Sequence, residues 1–531
     1  MKKIFLSIIT AGLILFTTGC EDYLDINTNP NGPTSVSPFL YLSPMEAQNA
    51  EAIGYDSRMF AYYTQNFAYT SSADYRYDLQ GDPAWTSDMA QYWRCYYWSM
   101  GQNLIDMINL SKAQERWDLV GIGYSLQAWT LQQLIDEHGP VIIREAFTPG
   151  LRIFNYDTEE FGYHAVDSLC QMALRYLKRT DGAVSETYAS KGDMVYKGVR
   201  SKWIKFTYAT LTLNKSHLSN KSIYDAALVM KYVDSSFTSN SDNFYVPCAG
   251  TSTTDGNFVG PMRDNFRYAV PGQYTVSLLN GSVFTVSDPR MPIMLPASDN
   301  IKNGVAGAQY VGLFNGKAFS TIAAADQPYN IFGVKDRTAA APVGTLGNYL
   351  FRDAVDWPMI TYSELQFIKA EAAFRADNKA AALTAYSNGV SAAIDFTSKY
   401  IGKTTWGTTT VAVPAADKTA YLNAVVPADA NNLTMSNIMC QKYIHLWGWG
   451  SLETWMDMRR FHYTDTWASE TTQVYAGYTL PTLYSTNEGK TVQRIRPRYN
   501  SEYVWNYDAI VKIGADKSTY HTKELWAITA E

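Results

Sequence analysis

The residues that could do chemistry in this chain are aromatic and polar rather than nucleophilic. Between about 68 and 88, Tyr69, Asp74, Tyr75, Tyr77 and Trp85 fall close together in a polar loop. A sugar ring presents an apolar C–H face rimmed by hydroxyls. A site for one needs a flat aromatic to stack on it and charged or amide groups to pair the hydroxyls. A later irregular stretch adds Arg263, Phe266, Tyr268 and Tyr329. These nine residues are the candidate ligand contacts, chosen by composition. With 39 Tyr and 14 Trp in the chain, most rings must still serve packing and loop anchoring.

Catalytic signatures are absent. The sequence has no His-Glu-x-x-His, no Gly-x-Ser-x-Gly and no Cys-x-x-Cys. Gly402-Lys403-Thr404 ends like a phosphate loop, but Thr397 stands where the leading glycine belongs, and Gly489-Lys490-Thr491 fails at Tyr484. Six His give no metal-type cluster. His138 falls at a helix end, where a cation suits the dipole. No catalytic residue, metal or cofactor is assigned. A glycosidase needs only two facing carboxylates, and 50 acidic residues always supply pairs, so a surface hydrolase stays as the alternative of a different class. The charge balance, 44 basic against 50 acidic residues, leaves no basic footprint for nucleic acid.

The elements that position these residues begin with an export signal. Lys2 and Lys3 precede a short apolar run over 4–16, then Thr17, Thr18, Gly19 and Cys20. The run is too short to span a bilayer and reads as a signal peptide over 1–19. A cysteine after small residues points to a diacylated lipoprotein N-terminus at Cys20, although Thr17 replaces the usual Leu; the alternative is a plain secreted protein. Cleavage leaves 512 residues and moves the net charge from −6 to −8. Residues 20–37, rich in Asn, Pro and Gly, read as a tether and extended lead-in. The four remaining cysteines are widely spaced and read as buried thiols.

Residues 38–531 read as one domain, mainly α. Val120, Tyr124, Gln127, Leu131, Leu134 and Ile135 share a helical face, and Gly139-Pro140 stops it. Thr361-x-x-Glu364 has capping-box spacing, and an alanine-rich helix over 380–394 follows the break at Asn378. Ser436 is placed to cap a further helix. The pair over 361–395 has the layout of a tetratricopeptide-like helical hairpin. Long irregular, loop-rich insertions run over about 238–357, 398–434 and 464–500. Glu371, Asp457, Arg459 and Arg460 are expected to form buried ion pairs at helix crossings, and Trp203, Trp357 and Trp455 to sit in the core.

Several blocks, in order, resemble the SusD/RagB family. They start with Cys20-Glu21-Asp22-Tyr23-Leu24-Asp25 and Asn29-Pro30-Asn31-Gly32 after the leader. Asp136-Glu137-His138-Gly139-Pro140-Val141 then Glu145-Ala146 is similar to the family's D-x-x-G-x-x-P-x-x-E-A stretch, with Pro140 directly after the glycine. Lys197-Gly198 with Lys202-Trp203-Ile204-Lys205-Phe206 resembles another helix. Trp357-Pro358 and Thr361-Tyr362-Ser363-Glu364, leading into Lys369-Ala370-Glu371-Ala372, is the most recognisable block. Gln441-Lys442-Tyr443 with Glu453, Trp455, Asp457, Arg459 and Arg460 follows. Arg496-Pro497-Arg498-Tyr499-Asn500 with Glu502 and Asn506 resembles the C-terminal signature, without a proline after Tyr499.

The resemblance implies a non-catalytic cell-surface lipoprotein of the outer membrane. It would be lipid-anchored at Cys20 and exported through the adjacent Glu21-Asp22. It would bind oligosaccharide or polysaccharide and deliver it to a TonB-dependent transporter of the SusC/RagA type. The alternative within the same architecture is a peptide-binding RagB-like uptake lipoprotein.

Overall fold

A computed structural model describes residues 36–82, 90–468 and 470–530. Cys20, the leader, most of the tether and Trp85 lie outside the described residues. Among the described residues the first α-helix is α1 (Leu42–Tyr63), followed by a short strand β1 (Phe67–Tyr69). Then come α2 (Gly101–Ala113), α3 (Trp117–His138), α4 (Glu159–Leu177), α5 (Arg200–Ser216) and α6 (Ala226–Ser235). Each packs on the next along the series from α2 to α6. Thr158 and Asp225 accept the free amides that open α4 and α6. Gly139, at φ +75, ends α3 where the glycine-proline pair predicts. The predicted face of α3 is only part of its buried surface. Neighbours on several sides bury it nearly all round, which is how a helix apolar on most faces is accommodated.

The first insertion is less irregular than its composition suggests. It holds β2 (Phe244–Cys248), β3 (Ala269–Pro271), α7 (Gln273–Leu279) and β4 (Val355–Ile360). Strands β2 and β4 pair antiparallel from Phe244↔Ile360 to Cys248↔Val355, and β1 pairs with β3. Both sheets join segments far apart in sequence, so local periodicity could not reveal them. Pro358 is tolerated inside β4 because, among the described residues, the sheet has only two strands and β4 keeps a free edge.

The hairpin follows as predicted. Thr361 and Glu364 close a capping box on α8 (Tyr362–Arg375), and Asn378 caps α9 (Lys379–Thr397). The two helices pack closely. A Cβ on Gly389 would come within 2.9 Å of the Phe367 ring, so a small residue is required at the crossing. The second insertion contains an unforeseen helix, α10 (Ala415–Val425). Helix α11 (Met435–Leu446) is capped by Thr434, not Ser436, through a reciprocal box with Asn437. Helix α12 (Ser451–Arg460) and the short α13 (Tyr507–Lys512) complete the scaffold. Trp203, Trp357 and Trp455 are fully buried as expected, in one apolar cluster that draws residues from Leu42 to Ile528.

Buried charges stitch the helices together. Arg460 donates to both oxygens of Glu371 at 2.6 and 2.9 Å and to Asp457 at 2.5 Å. Lys442 bridges Asp457 and Glu453, each at 2.7 Å. His217 sits between Asp136 at 3.2 Å and Glu453 at 2.9 Å. Burial opposes its charge, but the two carboxylates raise its pKa to about 10. Against the same burial, Lys442 and His217 hold Glu453 below the usual carboxylate range, and Arg460 and Arg375 do so for Glu371. Burial raises Glu364 instead.

Two expectations need correction. Arg459 makes no ion pair among the described residues: it donates to the carbonyls of Gln493 and Asp136 at 2.6 and 2.8 Å and lies 3.7 Å over the Trp455 ring. His138 ends α3 but is not a cation. It is wholly buried, which lowers its pKa to about 3, and the neutral ring meets the Ile495 carbonyl at 3.2 Å. Desolvation outweighs the helix dipole there.

Candidate functional site

The candidate site grows from the turn after α1. Gln65 takes a left-handed φ of +57, and the chain enters β1, which pairs Phe67↔Pro271, Ala68↔Val270 and Tyr69↔Ala269. Phe67 and Ala68 are buried, whereas Tyr69 at the strand's end is half-buried. The following loop folds back so that Tyr75 stacks on Tyr69, ring centroids 3.8 Å apart and planes at 15°. Tyr268 lies 5.2 Å from Tyr69 on the partner strand's side. Tyr77 stands edge-on to Tyr75 at 5.3 Å and to Tyr63 at 6.0 Å. Tyr62 braces Tyr75 from beneath at 5.2 Å. The result is a half-exposed tyrosine platform resting on a rigid helix end.

A buried carboxylate holds the loop in place. Asp78 is almost fully enclosed and accepts from the Tyr69 amide at 3.0 Å and from Asn315 at 2.8 Å. Burial raises its pKa to about 8. Asn315 also donates to the Phe67 carbonyl at 2.9 Å, so it ties β1, the loop and the 313–317 segment to one point. Gly316, at φ +81, lets the Leu79 side chain approach to 2.7 Å from where a Cβ would stand. Burial also raises the phenols of Tyr69, Tyr75 and Tyr77, the last to about 12. Each hydroxyl therefore keeps its proton and can both donate and accept.

The same 313–317 segment borders an open cleft of about 740 Å³, within the range of small-ligand sites. Gln273, Asn280 and Lys317 bring polar groups to it, while Val276, Tyr310 and Ile322 supply apolar wall. None of the platform tyrosines lines this cleft, which itself offers the Tyr310 ring and the amides of Gln273 and Asn280, a set that suits a ligand with apolar faces and polar rim groups. Among the described residues no group of three or more His, Cys, Asp or Glu is placed to hold a metal ion. No helix there is long and apolar enough to cross a membrane. Cys95, Cys170, Cys248 and Cys440 are all free, three of them buried.

A family model for SusD-like proteins, described as starch-binding and associating with the outer membrane, matches residues 30–482. The chain belongs to the SusD-like family. Solved structures share its fold. A SusD/RagB family protein from Bacteroides thetaiotaomicron VPI-5482 superposes with a TM-score of 0.72 at 18% identity, over 94% of this chain and 100% of that one. A chitin-binding protein gives 0.68 at 19%, over 93% and 100%. A SusD homolog from Bacteroides fragilis NCTC 9343 gives 0.69 at 17%, over 93% and 100%. At such identities the likeness concerns the fold. No curated protein matches the sequence.

In this SusD-like chain the structure brings together Tyr69, Tyr75, Tyr77 and Tyr268, with Asp74 exposed on the same loop. Three candidates lie elsewhere. Phe266 is only 1% exposed and packs edge-on against Phe67 at 5.8 Å, so no ring face is free. Arg263 is held by Glu51 at 3.0 Å and the Thr253 carbonyl at 2.7 Å, beside a separate 250 Å³ hollow. Tyr329 packs with Ala297 and Trp406 and donates to Asp299 at 2.7 Å. Asp78, Asn315, Gln273 and Asn280 escaped the sequence reading. Asn315-Gly316 carried a turn signal, but nothing local tied it to residue 78.

Proposed function

We propose that this protein captures a glycan at the outer surface of the outer membrane and passes it to a TonB-dependent transporter without cleaving it. The observation that carries the reading is the stacked Tyr69–Tyr75 pair with Tyr268 beside it, borne on a loop pinned by Asp78 and Asn315. Sugar rings bind best to aromatics that are already ordered, because little side-chain entropy is then lost on binding. The starch-binding description of the family and the chitin-binding neighbour support a carbohydrate over a peptide. Acylation at Cys20 would keep the captor beside its transporter, and a lid-like opening over the barrel would trap the ligand between the two proteins.

Isothermal titration of the mature chain against malto-, chito- and xylo-oligosaccharides and a peptide mixture tests the reading. Heat of binding with at least one glycan series is expected. Binding confined to peptides would transfer the protein to the peptide-uptake alternative. Product analysis after incubation with the glycan that binds should show uncleaved ligand; cleavage would make it a hydrolase.

A further inference from the structure

A second cleft, of about 570 Å³, is built from three other segments. The turn before α2 supplies Trp93, Tyr97 and Trp98, the loop after α3 supplies Phe147 and Phe154, and the C-terminal region supplies Glu502 and Trp505. Its backbone is unusual on every side. The π-helical turns Cys95–Met100 and Tyr499–Tyr503 are the only two among the described residues, and both line it. Such turns are rare and concentrate at functional sites. Phe147, on the third wall, holds a left-handed φ of +63, a costly conformation for a bulky residue.

The side chains are arranged to leave ring faces free. Trp98 is 71% and Trp505 75% exposed, in a chain whose other described tryptophans are largely enclosed. Arg94 lies 4.9 Å over the Trp98 ring. Trp93 backs Tyr97 at 4.8 Å, and the Tyr97 hydroxyl is fixed by giving to the Ile142 carbonyl at 2.7 Å and taking the Ile142 amide at 2.8 Å. Glu502 is nearly buried and accepts from Tyr156 and Asn506 at 2.8 and 3.0 Å. Asn500 and Ser501 add neutral polar groups at the edge. The lining carries two arginines, Arg94 and Arg498, and one carboxylate, Glu502. Arg94 lies on the Trp98 ring and Glu502 is taken up by Tyr156 and Asn506, so ring faces and neutral polar groups are the larger part of what the cleft offers a ligand. Its volume fits a short run of rings rather than a protein epitope, which takes about 800 Å² of each partner.

We propose that this cleft is a second carbohydrate site, in which Trp98 and Trp505 stack on rings of a neutral glycan chain. The inference rests on the glycan-capture reading and extends it: a polymer held at two places dissociates far more slowly than one held at a single place. The test compares the wild-type mature chain with Trp98→Ala/Trp505→Ala and with Tyr69→Ala/Tyr75→Ala. The probes are soluble starch, glycol chitin and xylan, together with their trisaccharides, followed by titration calorimetry and tryptophan fluorescence.

Expected is a loss of ten-fold or more in polymer affinity for the tryptophan variant, loss of most of the ligand-induced fluorescence change, and residual polymer binding by the tyrosine variant. Both tryptophans are mostly exposed, so an unchanged melting temperature should accompany these effects. A tryptophan variant that binds polymer like the wild type would overturn the second site and leave the tyrosine platform standing. A wild type that binds none of the probes would overturn the glycan reading and this inference with it.

Discussion

Asp457→Ala separates scaffold from site. Its carboxylate is 2% exposed and accepts from Arg460 at 2.5 Å and Lys442 at 2.7 Å. Removing one partner from a buried ion pair costs about 3–5 kcal/mol, because the remaining charge stays desolvated. Here each cation keeps another carboxylate, Arg460 with Glu371 and Lys442 with Glu453. That places the cost near the lower figure, about 3 kcal/mol. For a folded unit of roughly 500 residues the unfolding entropy is roughly 1 kcal/mol per kelvin, so calorimetry should show a melting temperature about 3 °C lower. Urea unfolding should lose a similar free energy with an unchanged slope. Glycan affinity at 20 °C should stay within two-fold of wild type, since none of these groups lines either cleft. A melting temperature within about 1 °C of wild type, or a loss of affinity without loss of stability, would refute the structural role.

Three further outcomes are expected. Tyr75→Ala and Tyr69→Ala should each weaken glycan binding by about 1–3 kcal/mol in calorimetric titration; unchanged affinity in both would remove the platform from the site. His217, with its pKa raised to about 10 from an ordinary value near 6.5, contributes stability that is complete below about pH 6.5. This contribution is lost as pH climbs through about 10, at up to about 1.4 kcal/mol per pH unit. The melting temperature should therefore fall more steeply from pH 7 to 9.5 in wild type than in His217→Gln, and equal slopes would contradict the ion sandwich. Cys20→Ser should abolish labelling by a palmitate analogue and release the protein from the membrane fraction; retention would mean another anchor.

The helices were readable because their signals are local. The capping box at Thr361, the stop at Gly139 and the alanines of α9 act within one or two turns, so the sequence alone places them. The cap on α11 was missed by two residues because Thr434 and Ser436 are equally good acceptors, and only the path of the chain chooses between them. The sheets β1–β3 and β2–β4 join strands more than a hundred residues apart, and no local pattern encodes such pairing.

The candidate site divides in the same way. Composition alone drew attention to Tyr69, Tyr75, Tyr77 and Tyr268, since a polar loop dense in tyrosine is unusual wherever it falls. Which rings face outward was a tertiary decision. Phe266 and Tyr268 are two residues apart, yet one closes the core against Phe67 and the other joins the platform. Asp78 looked like an ordinary loop carboxylate until folding enclosed it against Asn315. His138 carried the pattern of a helix-capping cation, but burial removed its charge. Sequence determines what each side chain can do; the packing around it sets its solvation and partners, and so decides what it does.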